Sequence, residues 1–169
     1  MLIGWAKPFV LALVTVVASS FAAQTMAAPL VPLTAQCVET AAKRNGIHPD
    51  ILWAILMVEG GSVGRNSKAN TNGTYDIGPF QINSTHRQTI AQHGIPESVL
   101  RNNGCVNAEV AAWHLSQTLT DEVMSSVTDD ESYLRAIARY HSATPQYNII
   151  YAKKLRIAFE RIYASQEAK

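Results

Sequence analysis

Glu59 is the residue of this sequence whose type and position together most clearly suggest chemistry. It ends an apolar run in which Ile55 lies one helical turn before it and Leu52 two turns before it, so it falls on the apolar face. A carboxyl group there loses hydration at the negative end of a helix, and both effects raise its pKa. A protonated acid near neutral pH is what general acid catalysis needs. The alternative is a side chain that turns outward to solvent.

Asp76 is the second carboxylate that could take part. It lies 17 residues after Glu59, in the stretch TYDIGPFQINS of residues 74–84. One carboxyl group in apolar surroundings and another in a polar turn form the pair that cleavage of glycosidic bonds uses. The alternative is that Asp76 only hydrogen-bonds to its own backbone in a turn before Gly78.

Other catalytic and metal-binding patterns do not occur in the sequence. The five histidines lack metal-ligand spacing, no serine stands in a nucleophile elbow, and no glycine pattern matches a phosphate loop. We therefore expect neither a metal nor a cofactor. His141 follows Tyr140 late in a predicted helix, and we interpret it as a packing or surface residue.

The helix that carries Glu59 is bounded by clear signals. Pro49 suits a first helical position, and Gly60–Gly61 ends the helix. An earlier helix is predicted over residues 36–45, whereas residues 60–75 have no helical period. Because that second segment contains an Asn-Gly turn signal, we expect a small irregular β-element or loop there.

Helical patterns also fill the second half of the chain. Residues 105–124 are amphipathic, and Thr128 with Glu131 forms a capping-box pattern for the next helix. Pro145 opens a last helix over residues 145–165. The sequence therefore predicts a mainly α fold, a helical core with one glycine-rich insertion.

The first 27 residues have the composition of a cleaved signal peptide. Lys7 is followed by the apolar run PFVLALVTVVASSFAA and then by small residues. That run is shorter than the about 20 residues that a membrane span needs. We predict cleavage near Ala27 and an exported, periplasmic protein with no stable membrane span. The alternative is an uncleaved N-terminal anchor.

The charge balance excludes some classes of partner. The chain of 169 residues has 14 basic and 13 acidic residues, and loss of Lys7 with the signal peptide leaves 13 of each. A protein without net charge is not expected to bind nucleic acid or an anionic membrane surface. A composition of 47% hydrophobic and 16% charged residues fits one folded domain.

Cys37 and Cys105 are the two cysteines of the chain. In an exported protein such a pair is usually a disulfide, which here would join the start of the mature domain to its middle. Two buried free thiols are the alternative. A metal site built on them is disfavoured because neither cysteine has a histidine at ligand spacing.

Three stretches, in order, carry a family resemblance. They are GIHPDILWAILMVEGG (46–61), which contains Glu59; YDIGPFQIN (75–83), similar to a Gly-Leu-Met-Gln-Ile-Asn signature; and AIARYHSA (136–143), similar to an Ala-Tyr-Asn segment. Together they resemble the lysozyme-like superfamily, specifically the small soluble-lytic-transglycosylase-type (SLT) family that accompanies bacterial secretion, conjugation and pilus systems. NTNGTYDIGPFQINS also resembles c-type lysozymes, including the aspartate at Asp76.

The resemblance implies a fold and the boundaries of the domain. We expect a lysozyme-like helical domain in residues 28–169, with a core of about 37–145 followed by the last helix. The small β/loop insertion would form a glycan groove. The sequence departs from the family at three places: Gly60 stands where many members have Ser, Pro79–Phe80 replaces Leu-Met, and His141 replaces Asn.

The resemblance also implies roles for five side chains. Glu59 would be the catalytic acid, and Asp76 would stabilise the positive charge that develops on the sugar. Gln81 and Asn83 would hold sugar N-acetyl groups or brace the loop, and Tyr140 would orient the acid or bind the glycan.

The reaction that the resemblance implies is lytic transglycosylation. The bond between N-acetylmuramic acid and N-acetylglucosamine in peptidoglycan would be cleaved with formation of a 1,6-anhydro product. Peptidoglycan strands are the expected partner, together with components of a secretion, conjugation or pilus apparatus. A hydrolytic lysozyme and a non-catalytic peptidoglycan-binding component of an envelope machine remain as alternatives.

Overall fold

A computed structural model of the chain describes residues 28–167. This part of the chain forms eight α-helices and one short antiparallel hairpin. The elements are α1 (Ala35–Arg44), α2 (Pro49–Glu59), β1 (Asp76–Ile77), β2 (Ile82–Asn83), α3 (Arg87–Gln92), α4 (Glu97–Asn102), α5 (Gly104–Thr118), α6 (Asp121–Ser125), α7 (Asp130–Ile137) and α8 (Pro145–Glu167), with 3-10 turns at Ser84–His86 and Ala138–Tyr140. The predicted mainly α fold is confirmed.

The helix ends follow from local chemistry. At the end of α1 the N–H of Ile47 donates to Ala42 O and the N–H of Gly46 donates to Lys43 O, the paired bonds of a Schellman motif. Gly46 adopts the left-handed conformation that this motif requires. Helix α2 begins with Pro49, as predicted.

The core lies where five helices meet. Helix α1 packs on α5, and α2 packs on α8, which also contacts α7. The largest fully buried apolar side chains come from these helices, from α4 and from the hairpin: Leu52, Ile55, Ile77, Phe80, Leu100, Leu115, Ile137 and Leu155. The burial of Ile77 and Phe80 fixes the hairpin against the helical core, next to the end of α2.

The stretch quoted above as TYDIGPFQINS contains the whole hairpin. Asp76 pairs with Asn83, and Ile77 pairs with Ile82. Residues 60–75 form the loop that was one of the two predicted alternatives, with an isolated β-bridge from Asn66 to Ile77, and the hairpin follows directly after them.

Two other boundaries differ from the sequence prediction. The amphipathic stretch 105–124 is divided, because Thr120 accepts a hydrogen bond from Val123 N–H and starts α6 as its N-cap. The capping box of α7 is made by Asp129 and Ser132, which satisfy each other's backbone N–H groups, and not by the predicted threonine and glutamate.

The start of the described chain is tied to the core. Val31 N–H donates to Asn102 O, and Gly104 N–H donates to Val31 O. Cys37 in α1 and Cys105 in α5 form the expected disulfide, with their Cα atoms 4.9 Å apart. The predicted signal peptide falls outside the described residues. Within residues 28–167 no helix is long and apolar enough to cross a membrane.

Candidate active site

All five side chains predicted to act on a substrate line the same groove. This groove has a volume of about 610 Å³ and runs between the end of α2, the hairpin and the start of α8. Its predicted members are Glu59, Asp76, Gln81, Asn83 and Tyr140. The fold therefore places them together, while their individual roles stay predictions.

Glu59 is the last residue of α2, and the backbone turns away from it at Gly60 in the left-handed conformation. The hydroxyl of Tyr151 donates a hydrogen bond of 2.6 Å to Glu59 Oε1. Burial raises the pKa of Glu59 to about 7, and repulsion by Asp76 adds to the rise. The Tyr151 hydrogen bond and the charge of Lys154 oppose it. Near neutral pH this groove therefore contains a carboxyl group that can donate a proton.

Tyr151 comes from α8 and is 3% exposed. Burial and the neighbouring Glu59 raise the pKa of its hydroxyl, so it remains a neutral donor. This contact was not predicted from the sequence. The available signal was a tyrosine on the buried face of α8, since a buried tyrosine hydroxyl usually has a hydrogen-bond partner.

Tyr140 has a different partner. Its hydroxyl donates to Phe80 O at 2.8 Å, and its ring is buried beside the groove. Tyr140 therefore holds the hairpin turn, and the hydroxyl that reaches Glu59 belongs to Tyr151. Contact of Tyr140 with a glycan stays a prediction.

Asp76 is held on the groove wall by two amides. Its Oδ1 accepts a hydrogen bond of 2.8 Å from Asn83 Nδ2, and its Oδ2 accepts one of 3.4 Å from Asn70 Nδ2. These bonds cross the hairpin and reach the preceding loop, so Asp76 does more than shape its own turn. Asn83 therefore holds Asp76 in place across the hairpin. Binding of sugar N-acetyl groups by Asn83 stays a prediction.

Gln81 occupies a strained position at the end of the hairpin turn. Its φ of 50° lies in the left-handed region, which is uncommon for residues other than glycine. The side-chain Nε2 donates to Gly78 O at 2.7 Å and thereby closes the turn over its own backbone. Gly61 N–H donates to Pro79 O at 3.1 Å, which joins the turn to the chain just after Glu59.

Asn107 of α5 anchors the hairpin to the helical core. This fully buried residue of α5 accepts a hydrogen bond from Phe80 N–H at 2.9 Å and donates to Ile77 O and Leu100 O at 3.0 and 3.1 Å. Two of its three bonds fix the hairpin relative to α5, and the third joins α5 to the end region of α4. The sequence did not predict this role, because one amide among the alanines of an amphipathic helix gives no signal of its target.

Histidines form part of the groove wall, and His141, interpreted above as a packing or surface residue, is exposed there and packs on a neighbouring ring. The His141 ring stacks on Tyr151, with ring centres 4.8 Å apart and planes 3° from parallel. On another part of the groove wall the ring centres of His86 and His114 lie 4.9 Å apart. Among the described residues no three His, Cys, Asp or Glu side chains are placed to hold a metal ion.

The chain is similar in sequence to known proteins. The chain is 31% identical to Protein IpgF of Shigella flexneri over 83 residues, which are 49% of this chain and 55% of that protein. It is 33% identical to Invasion protein IagB of Salmonella typhimurium over 89 residues, 50% of this chain and 53% of that protein. The chain thus spans about half the length of the curated relatives it matches.

A family model described as the transglycosylase SLT domain matches residues 36–144, more than half of the chain. This range includes Glu59, the hairpin and Tyr140, and it ends just before α8, which supplies Tyr151. The resemblance inferred from the three sequence stretches is confirmed, and the chain belongs to the transglycosylase SLT domain family.

Proposed function

We propose that this protein is a peptidoglycan lytic transglycosylase that cleaves the β-1,4 bond between N-acetylmuramic acid and N-acetylglucosamine. The observation that supports it most is the Glu59 carboxyl group, which has a pKa of about 7 and faces a groove rich in amides and hydroxyls. Such a groove suits a sugar chain, whose hydroxyl and N-acetyl groups need many hydrogen-bond partners.

In the first step Glu59 donates its proton to the glycosidic oxygen, and the bond from that oxygen to C1 of the muramoyl residue breaks. C1 then carries oxocarbenium-like positive charge. In the second step the ionised Glu59 accepts the proton of the 6-hydroxyl while O6 forms a bond to C1. The product is a 1,6-anhydromuramoyl end, the acid is protonated again, and no water is consumed.

The side chains around Glu59 have matching roles in this proposal. Asp76, held by Asn83, places negative charge on the same groove wall, where it stabilises the developing positive charge. Gln81 keeps the hairpin turn in the shape that positions both walls.

Mass spectrometry of purified peptidoglycan digested in ¹⁸O-labelled water tests the reaction. Transglycosylation gives anhydro ends without the label, which borohydride does not reduce. Reducing ends that carry one ¹⁸O atom would instead identify a hydrolytic lysozyme. That second candidate is favoured by Asp76, which supplies the second carboxylate that a retaining hydrolase uses.

The variant Glu59→Gln separates catalysis from binding. We expect it to bind peptidoglycan in a pelleting assay and to release no fragments, because an amide cannot donate the proton. A variant that supports every cellular role of the wild type would favour a non-catalytic binding component of an envelope machine.

We further propose that the protein is exported to the periplasm and opens the cell wall locally for an envelope-spanning machine. The sequence of residues 1–27 supports export, and one relative is named an invasion protein. Cell fractionation with N-terminal sequencing of the mature chain tests the first statement. Pull-down from the periplasm, followed by mass spectrometry, tests for components of a secretion, conjugation or pilus apparatus.

A further inference from the structure

His141 belongs to the groove, although nothing in the proposed reaction uses it. It follows the 3-10 turn Ala138–Tyr140, and its backbone N–H donates to Ala138 O at 3.1 Å. The ring lies flat on that of Tyr151, at a distance of 4.8 Å between centres. The stack joins the segment before α8 to α8 itself, at the level of the acid.

The ring beneath His141 is the one that orients the acid. Tyr151 donates to Glu59 Oε1, so this oxygen is occupied by a hydrogen bond, and the acidic proton belongs on Oε2. Rotation of the Tyr151 side chain about its Cα–Cβ bond would move the hydroxyl away from Oε1 and let the proton occupy either oxygen. The His141 ring, flat against one face of the phenol, restricts such a movement.

The surroundings of His141 favour its neutral form. Burial and the nearby Lys154 of α8 lower the pKa of His141, while Asp76 of β1 acts in the opposite sense. Near neutral pH the imidazole is therefore uncharged, and it does not add a cation beside Glu59 that would favour loss of the catalytic proton.

We propose that His141 is a positioning residue for the catalytic acid: its ring holds Tyr151 so that the phenol hydroxyl stays on Glu59 Oε1. The inference deepens the proposed function and rests on Glu59 acting as the acid.

Kinetics on purified peptidoglycan test the contact. We expect His141→Ala to lower kcat about 2- to 10-fold, the range that corresponds to loss of one aromatic pair, with KM unchanged. His141→Phe keeps a flat ring and should remain within about 2-fold of the wild type. If the phenylalanine variant is impaired as much as the alanine variant, or if the main effect is on KM, the proposal is wrong.

A double-mutant cycle shows whether His141 acts through Tyr151. In a Tyr151→Phe background the hydroxyl is gone, so His141→Ala should change kcat less than about 2-fold further. An equal loss in both backgrounds would overturn the proposal. His93→Ala is the control, because His93 pairs with Trp113 outside the groove, and we expect it to leave kcat unchanged. Thermal unfolding confirms that each variant is folded.

A carbon-13 NMR titration of Glu59, assigned with Glu59→Gln, gives a readout that does not need turnover. The Tyr151 hydrogen bond lowers the pKa of Glu59, so loosening it in His141→Ala should raise that pKa above about 7. Tyr151→Phe should raise it too, and His141→Phe should not. A fall in the alanine variant would show that His141 shields Glu59 from water instead. If the wild type releases no glycan fragments, the proposed function fails, while this titration still decides the contact.

Discussion

At Glu59 the same burial that prepares a general acid also destabilises the folded protein. Its pKa rises from 4.5 to about 7 on folding, mainly through burial. Between these values the unfolded chain has released the proton while the folded protein still holds it, so the free energy of unfolding falls as pH rises. The effect is absent below pH 4.5 and complete above pH 7.

Glu59→Gln is therefore expected to stabilise the protein at pH 8 and not at pH 4. The amide needs no ionisation and can still accept from the Tyr151 hydroxyl. The expected gain at pH 8 is about 3 kcal/mol in the free energy of unfolding, measured by urea denaturation. Glu160→Gln, on the exposed side of α8, is the control. Equal stability of Glu59→Gln and wild type at both pH values would show that Glu59 is solvated.

Asp76→Asn tests the second carboxylate. Removing its negative charge removes the repulsion that helps to raise the pKa of Glu59, so the alkaline decline of kcat/KM should begin at lower pH. Loss of charge stabilisation should also lower kcat by about 10- to 100-fold. A pH series of kcat/KM checks both effects, with Asp121→Asn on α6 as the control. An unchanged kcat would reduce Asp76 to bracing the hairpin.

At the scale of elements, the chain just after α2 lies against the hairpin turn at Gly61, which leaves no room for a side chain there. A Cβ atom on Gly61 would collide with Gly78 O and would come within 2.8 Å of Pro79 O. Gly61→Ala should therefore push the hairpin turn away from the end of α2. Gln81, which lies in this turn and lines the groove, should move with it. We expect a loss of about 1–3 kcal/mol in the free energy of unfolding and at least about a 10-fold loss in kcat.

A matched glycine separates backbone strain from this collision. Gly46 has a φ of 66°, and a Cβ atom there would meet no atom within 4 Å. Gly46→Ala should cost about 1 kcal/mol in stability and leave kcat unchanged. If Gly61→Ala behaves in the same way in enzyme assays and urea denaturation, the turn does not depend on the close approach.

The features that could be predicted from the sequence are those that depend on one helix or one turn alone. The helical period alone placed Glu59 on the apolar face of α2, and Pro49 and Gly60 marked the ends of that helix. Tyr151 and Asn107 are different, because their partners lie 92 and 27–30 residues away in the chain. Their roles depend on how α8 and α5 pack against the site, which no local pattern specifies.

At the scale of the whole molecule, part of the site lies in the range that the family model matches and part lies outside it. The matched range 36–144 brings the acid and the hairpin, whereas the hydroxyl that orients the acid comes from α8, beyond that range. Helix α8 packs along α2, so the position of Tyr151 depends on the assembled core and not on any motif. The motifs therefore offered Tyr140 as a residue that orients the acid or binds the glycan, whereas the hydroxyl on Glu59 is that of Tyr151.

The disulfide is the one covalent link in the described chain between α1 and α5, and it closes a loop with a sequence separation of 68. Neither cysteine lines the groove, so the bond should affect stability and not catalysis. We expect the double variant Cys37→Ala, Cys105→Ala to lose about 4 kcal/mol in the free energy of unfolding and to keep the wild-type kcat at temperatures where it is folded.

Urea denaturation with and without reductant provides the test. Reductant should destabilise the wild type by a similar amount, which is the behaviour of a protein that needs an oxidising compartment, and should leave the double variant unaffected. A change in kcat that accompanies reduction of a fully folded protein would contradict this separation, because it would mean that the contact between α1 and α5 also sets the geometry of the groove.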